Sequence, residues 1–344
     1  MKKLANAFLW CSALVGLFTL VPWLWQMLTA KPERTPFTLY SCTVHDFTAL
    51  WQDEGREYRF TDRKGNTYSD EAQPLFYAAI LASKGMLPDS LEGVPVSLEE
   101  IERNNLFITS DPRDVNKTLP PVYPVMESIP ERLELQEPEN ALVARRDGFY
   151  LYEMASNTLL EEASARLNDT LRTLGFRFPA RLLHGNPTDR KDHDEGYLVT
   201  DADNRLFRIR QVGGVLQARH FPEADTLGTC YLQVTEFENR ATLGMLVTGD
   251  GRLAFLRPDG SVAVTAVPFD PRKEDILIIG DMFYYTVKTS TEAGERFYAL
   301  RSSDFSLVDT LSRPYEPRFT LPGLSFTSHL DSWVKPRLNG IRDY

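Results

Sequence analysis

The sequence predicts a mainly β protein, with an N-terminal transmembrane helix followed by an irregular β-propeller-like domain that carries a few inserted helices. Three observations lead there. Residues 4–30 contain no charged side chain. Two stretches 48 residues apart repeat one another, Gly196 to Arg210 and Gly244 to Arg257. Short runs of β-branched and aromatic residues, punctuated by Gly, Asn and Asp, recur along the chain. A β-sandwich, or a mixed sheet of successive hairpins, accounts for the same strands and is the alternative.

The apolar run lies between Lys2 and Lys3 on one side and Lys31, Glu33 and Arg34 on the other. About 20 apolar residues span a bilayer core, so this run is long enough even when tilted. Trp23 and Trp25 stand near its end, where an indole suits the headgroup level, and Pro22 is placed to bend its last turns. A cleaved signal has a shorter apolar region, about 7–15 residues, ending in small-x-small; here Leu28-Thr29-Ala30 puts a bulky residue at the first small position. The expectation is therefore an uncleaved, single-pass anchor embedded in the lipid bilayer through residues 4–30. The flanking Lys and Arg are nearly balanced. A short basic start before a long apolar run has the form of a signal-anchor, which leaves the bulk of the chain extracytoplasmic, on an inner (cytoplasmic) membrane.

The chain has 344 residues and a formal net charge of −10, with 42% hydrophobic and 11% aromatic content. It can bury a sizeable core. Nucleic acid and anionic headgroups both demand a basic surface, so the charge argues against either as the main partner. Three cysteines are too few for a disulfide framework; Cys11 lies in the apolar run, and Cys42 and Cys230 are expected to be two buried free thiols, a single disulfide between them in an oxidising compartment being the alternative.

Three parts are expected: 1–34, the transmembrane anchor and its flanks; 35–315, the β-rich soluble domain; and 316–344, an irregular C-terminal tail. Within the domain, residues 37–51 read as a strand and 57–69 as a hairpin turning at Lys64-Gly65-Asn66. Residues 70–84 have helical spacing and stop at Gly85, and Ser97 with Glu100 forms a capping box that starts a short helix. Prolines at 112, 120, 121, 124, 130 and 138 mark 111–138 as an extended connector without helix or central strand. Strand–turn–strand then leads into a helix over 160–174 that stops at Gly175.

The repeat is a strand, a tight turn and a second strand, with one residue fewer in the second copy's turn. A fainter echo links Phe149-Tyr150-Leu151-Tyr152 to Phe297-Tyr298-Ala299-Leu300. A 48-residue spacing fits one four-stranded propeller blade.

Chemistry-bearing residues concentrate at 186–197, in Asp189, Asp192, His193, Asp194 and Glu195. Asp192, His193 and Glu195 are the candidates for a divalent cation, or for acid and base in an anchored hydrolase or lyase. Neighbours on an extended chain point to opposite faces, and Arg190 and Lys191 offset the charge, so a solvated loop is the plainer expectation. Asp201-Ala202-Asp203-Asn204 opens like a calcium loop, but Leu206 and Val212 stand where Gly and Glu are needed, leaving a hairpin turn. The five histidines, 45, 184, 193, 220 and 329, show no i, i+4 pair, and no nucleotide or cofactor motif occurs. No catalytic residue and no cofactor is assigned. Trp51, Tyr40, Tyr150, Tyr152, Tyr284 and Tyr285 are candidates for a glycan or small-ligand cleft.

The stretches AKPERTPFTLYSCTVHDFT, LLHGNPTDRKDHDEGYLVTD and IIGDMFYYTVKTS resemble an uncharacterised family, a domain of unknown function, of single-span bacterial envelope proteins. The resemblance covers the anchor and most of the soluble part. It implies a non-catalytic accessory role beside an ABC-type permease complex and assigns no site residue.

Overall fold

The computed structural model describes residues 2–29, 35–52, 58–68, 74–116, 120–130, 135–291 and 293–315. The expected tail at 316–344 and the linker 30–34 lie outside them.

Helix α1 (Lys2–Thr29) is apolar over its whole circumference, and its large side chains, among them Trp10, Phe18 and Trp25, are exposed. It is long and apolar enough to cross a membrane over Lys2–Trp25. At 1.5 Å per residue it measures about 40 Å, more than a hydrocarbon core needs.

The first sheet contains β1 (Phe37–Ser41), β2 (Asp46–Gln52), β3 (Tyr58–Thr61) and β4 (Thr67–Tyr68). What reads as one strand over 37–51 is two, because His45 adopts φ 53° and the chain reverses at 42–45. Small elements follow: α2 (Ala78–Ser83), the ribbon β5 (Ser90–Leu91) and β6 (Val94–Pro95), and α3 (Leu98–Asn104). Ser97 caps α3 as expected, accepting from the Glu100 N–H. Next come β7 (Leu106–Ser110) and α4 (Pro112–Asn116). The proline-rich connector therefore does contain a helix. Pro112 is its first residue, where no N–H partner is required.

The second sheet has β8 (Val122–Val125), β9 (Asn140–Ala144), β10 (Phe149–Glu153) and β11 (Thr158–Leu159), with α5 (Glu161–Thr173) after it. Pro124 sits in β8, an edge strand, so its missing N–H breaks no ladder. The third sheet is β12 (Leu183–Gly185), β13 (Tyr197–Thr200), β14 (Leu206–Val212) and β15 (Val215–Phe221). The fourth is β16 (Tyr231–Val234), β17 (Gly244–Val247), β18 (Arg252–Leu256) and β19 (Val262–Pro268). The fifth runs β23 (Leu307–Pro314), β22 (Gly294–Arg301), β21 (Tyr284–Thr291), β20 (Asp275–Gly280), with β7 added beside β20. Ile108 thus pairs with Ile278, tying the early chain to the last sheet.

The repeat occupies the two central strands of the third and fourth sheets. Its turns are the same size, closed by Asp201 N–H to Arg205 O and by Thr248 N–H to Arg252 O. The difference lies in the first arm, which has one residue more before its turn in the third sheet, Gly196 to Asp201 against Gly244 to Thr248. That residue turns the arm's side chains over: Leu198 faces the fourth sheet where Leu246 faces the third, and Val199 faces the second where Val247 faces the fifth. The fainter echo is also a true correspondence: β10 and β22 are the third strands of their sheets. Gly196 has φ +73°, and a Cβ there would stand 2.3 Å from the Ile209 carbonyl. That is why the repeat opens on glycine in its first copy.

Side chains alternate between two packed faces, so the sheets stack in order. Phe149, Leu151, Val199 and Phe207 join the second sheet to the third. Leu198, Phe221, Leu246 and Leu256 join the third to the fourth. Met245, Phe255, Ile278 and Tyr285 join the fourth to the fifth. Tyr40, Phe47, Tyr284 and Phe297 join the fifth back to the first. Each such fully buried large side chain contributes about 1.5–3 kcal/mol relative to exposure. The result is mainly β, five small antiparallel sheets packed as blades.

This stacking gives the domain two rims. The connections 42–45, 126–130, 186–196, 235–243 and 281–283, each following the sheet's first strand in chain order, gather on one, here the far rim; Ser128 meets Asp194 there, and Asn186 meets Glu236. The chain enters at the other rim, where Thr35 donates its hydroxyl to Glu295 at 3.0 Å. On this entry rim lie the turns at 145–148, 201–205 and 248–251.

Candidate functional site

The predicted cluster lies in the connection from β12 to β13, 186–196, and it is a solvated loop only in part: Asn186, Pro187, Asp189, Arg190 and Asp192 are exposed. Hairpin geometry folds it inward between three sheets. Asp189 and Asp192 remain exposed, whereas His193 and Asp194 are buried, at 6% and 5% exposure. The Lys191 side chain is buried with them. Its Nζ lies 2.6 Å from Asp194 Oδ1, 2.7 and 2.8 Å from the two Glu236 oxygens, and 2.6 Å from the Asn186 carbonyl. Asp194 Oδ2 accepts from Ser128 Oγ at 2.6 Å. Glu236 also accepts from the Glu195 N–H and from Asn186 Nδ2. Arg208 on β14 donates to Glu195 at 2.5 Å.

The candidate triad does not assemble. Asp192 points to solvent, and His193 Nε2 stands 3.8 Å from Glu195 Oε1, beyond hydrogen-bonding reach. Burial, then Arg240, holds the His193 imidazole below its ordinary range. Among the described residues no three His, Cys, Asp or Glu form a group spaced to hold a metal. Burial pushes the Glu236 carboxyl up, while the Glu195 N–H and the Lys191 ammonium pull it back. Asp194 and Glu236 are thus filled by donors from this chain, and the ammonium by acceptors. Such an arrangement is a clasp: three carboxylates against two cations, fixing the second, third and fourth sheets at one rim.

Ser128, Arg208 and Glu236 were not among the predicted residues. Glu236 lies in the β16–β17 connection, the fourth sheet's counterpart of the β12–β13 connection. Nothing in the local sequence marks Ser128.

The predicted aromatic set is dispersed. Tyr40 and Tyr284 pack ring to ring, 4.9 Å apart, in the core between the fifth and first sheets, and Tyr285 belongs to a different core. Tyr150 lies under the Arg145 guanidinium and Trp51 is half exposed. Cys42 is buried, and burial pushes its thiol up to about 12, but Cys230 is exposed; they are free and belong to different parts of the fold. Asp201 organises its turn as expected, accepting from the Asp203, Arg205 and Arg177 N–H groups.

Two further sites were not foreseen. On the far rim, Asp281 is buried and, among the described residues, accepts from the Phe283 and Tyr284 N–H groups alone, both at 2.8 Å. On the entry rim, Pro121, Tyr123, Pro179 and Leu183 line an open pocket of about 460 Å³ with Arg145, Arg146 and Arg181.

The model of the family described as "Domain of unknown function (DUF4857)" matches residues 37–300, and the chain belongs to that family. No curated protein matches it. Among solved structures, it is similar to the Dos1 propeller at 10% identity and a TM-score of 0.31, covering 84% of this chain and 65% of that one. It therefore spans just under two thirds of that protein's length. It is also similar to the Myceliophteria thermophila Cps50 (Swd1) beta-propeller domain, at 9% identity and a TM-score of 0.25, covering 90% and 98%.

Proposed function

We propose that this family member is a membrane-anchored envelope protein whose five-sheet domain is a non-catalytic interaction module, working as an accessory to a membrane permease complex of the ABC type. In this reading α1 is a single-pass anchor in the inner membrane and residues 35–315 form one extracytoplasmic domain. One observation carries the non-catalytic part. The densest set of chemistry-bearing side chains in the sequence folds into an internal clasp, with its Lys191 ammonium and the Asp194 and Glu236 carboxylates engaged by one another and by neighbouring donors. Those groups hold sheets together, so they support a rigid binding surface rather than a reaction centre.

The test is affinity purification of the full chain from detergent-solubilised native membranes. A polytopic permease and its ATPase subunit should co-purify in fixed proportion with the tagged protein. A reproducibly solitary protein would overturn the accessory reading.

A further inference from the structure

The direction of β1 decides which end of the domain meets the bilayer. Only residues 30–34 separate the end of α1 at Thr29 from Thr35, which is fixed to Glu295 on the entry rim. Six chain steps reach at most about 22 Å, whatever their conformation. The entry rim is therefore held within headgroup distance of any membrane that α1 spans, and the far rim with its clasp is held away. Exposed apolar side chains stand on the entry rim as well: Trp51 near the end of β2, and Val122 at the start of β8, each 49% exposed. Trp at such a level suits a membrane interface.

The same rim carries the pocket lined by three arginines. Arg145 is preset, its Nη2 donating to the Tyr152 hydroxyl at 3.0 Å and its guanidinium 4.6 Å from the centre of the Tyr150 ring. The nearest acid in sequence, Asp147, accepts from the Tyr150 hydroxyl. Arg146 and Arg181 are exposed and have no side-chain hydrogen bond or ion pair among the described residues. Pro121, Tyr123 and Leu183 give the pocket an apolar floor. Guanidinium groups over an apolar floor match a phosphate attached to a glycerol and acyl body. The net charge of −10 opposes a general attraction to anionic lipid, so such a contact has to be local.

We propose that the entry rim faces the bilayer and that the Arg145, Arg146 and Arg181 pocket takes the phosphate of an anionic phospholipid headgroup. This rests on the reading of α1 as a membrane anchor.

The test uses the full chain in three settings: nanodiscs of phosphatidylcholine with phosphatidylglycerol, nanodiscs of phosphatidylcholine alone, and detergent micelles with or without inorganic phosphate. Phenylglyoxal labels arginines, and mass spectrometry reads the rate at each position. Arg146 and Arg181 should label about fivefold more slowly in the anionic discs than in micelles, the effect of a basic residue near an anionic surface. Arg103, on the far rim, should label equally in all. Equal rates at Arg146 and Arg181 everywhere would overturn the proposal, as would protection by inorganic phosphate in micelles without protection in discs. Alkaline carbonate washing of native membranes holding the full chain separates the two readings. A chain that washes off sinks the anchor and the pocket together; one that stays but labels freely sinks the pocket alone.

Discussion

Two buried acidic sites on the far rim show opposite solutions to the same problem. Around Lys191, the carboxylates of Asp194 and Glu236 are buried with a counter-charge at 2.6–2.8 Å. Asp281, at the turn between β20 and β21, is equally buried but has only two backbone N–H donors among the described residues. Desolvation of an ion is costly, and an ammonium in contact offsets it where two amide dipoles do so only in part. Burial accordingly pushes the Asp281 carboxyl up to about 6. The clasp joins sheets that are already packed; Asp281 shapes a turn. The difference teaches that a buried acid's effect on stability depends on its partners as well as on its burial, which pushes Glu236 up even beside Lys191.

Breaking the clasp should give the largest effect. Lys191→Met keeps the side chain's bulk and leaves Asp194 and Glu236 facing one another without a cation. Removing one partner of a buried pair costs about 3–5 kcal/mol. Guanidinium unfolding of the full chain in detergent should show that loss, with the triple variant Lys191→Met, Asp194→Asn, Glu236→Gln recovering most of it. A single variant as stable as the parent would mean that the cluster is not buried as described.

Below the clasp, on the same seam, His184 gives a pH-dependent way to open it. Its Nδ1 accepts from the Val234 N–H at 3.1 Å, linking β12 to β16. Burial holds its imidazole down at about 4. The unfolded chain therefore binds this proton at a higher pH than the folded one, so the stability is present above pH 6.5 and is lost as pH falls through about 4. By linkage the loss approaches about 3 kcal/mol. His184→Asn, which keeps an acceptor for Val234, should lack that part of the acid limb. Asp281 opposes it over part of the range, so the parent-minus-variant difference is the quantity to measure.

How much of this was legible from the chain depends on whether the information was local. The hairpins at 57–69 and 196–210, the α3 cap and the Gly175 stop rest on turn chemistry within a few residues, and the structure keeps them. The repeat was also legible, because its copies are the central hairpins of neighbouring sheets with the same turn chemistry, although their first arms face opposite ways. What failed was solvation. Lys191 and Asp194 look like an exposed charged loop until Glu236, over 40 residues later, and Ser128, over 60 residues earlier, are brought beside them. The two missed sites have the same origin. Arg145 and Arg181 are 36 residues apart, in different sheets, and only stacking makes them neighbours. Asp281 carries no marker in sequence, since its cost arises from the core that covers it.

The smallest expected effect runs the other way and sharpens the contrast most. For Asp281 the folded carboxyl takes its proton at a higher pH than the unfolded one. Its contribution is therefore present below pH 4 and is lost as pH rises through about 6. At pH 7 the parent carries a buried charge that no cation among the described residues offsets. Asp281→Asn keeps an acceptor for the Phe283 and Tyr284 N–H groups and removes that charge, so it should raise stability by slightly under about 3 kcal/mol at pH 7. The gain should shrink as pH falls and vanish near pH 4, measured by unfolding at a series of pH values. A clasp acid gives the reverse result: Asp194→Asn takes a counter-charge from the buried Lys191 ammonium and should destabilise at the same pH. If both substitutions moved stability in one direction, partner charge would not be what separates the two sites.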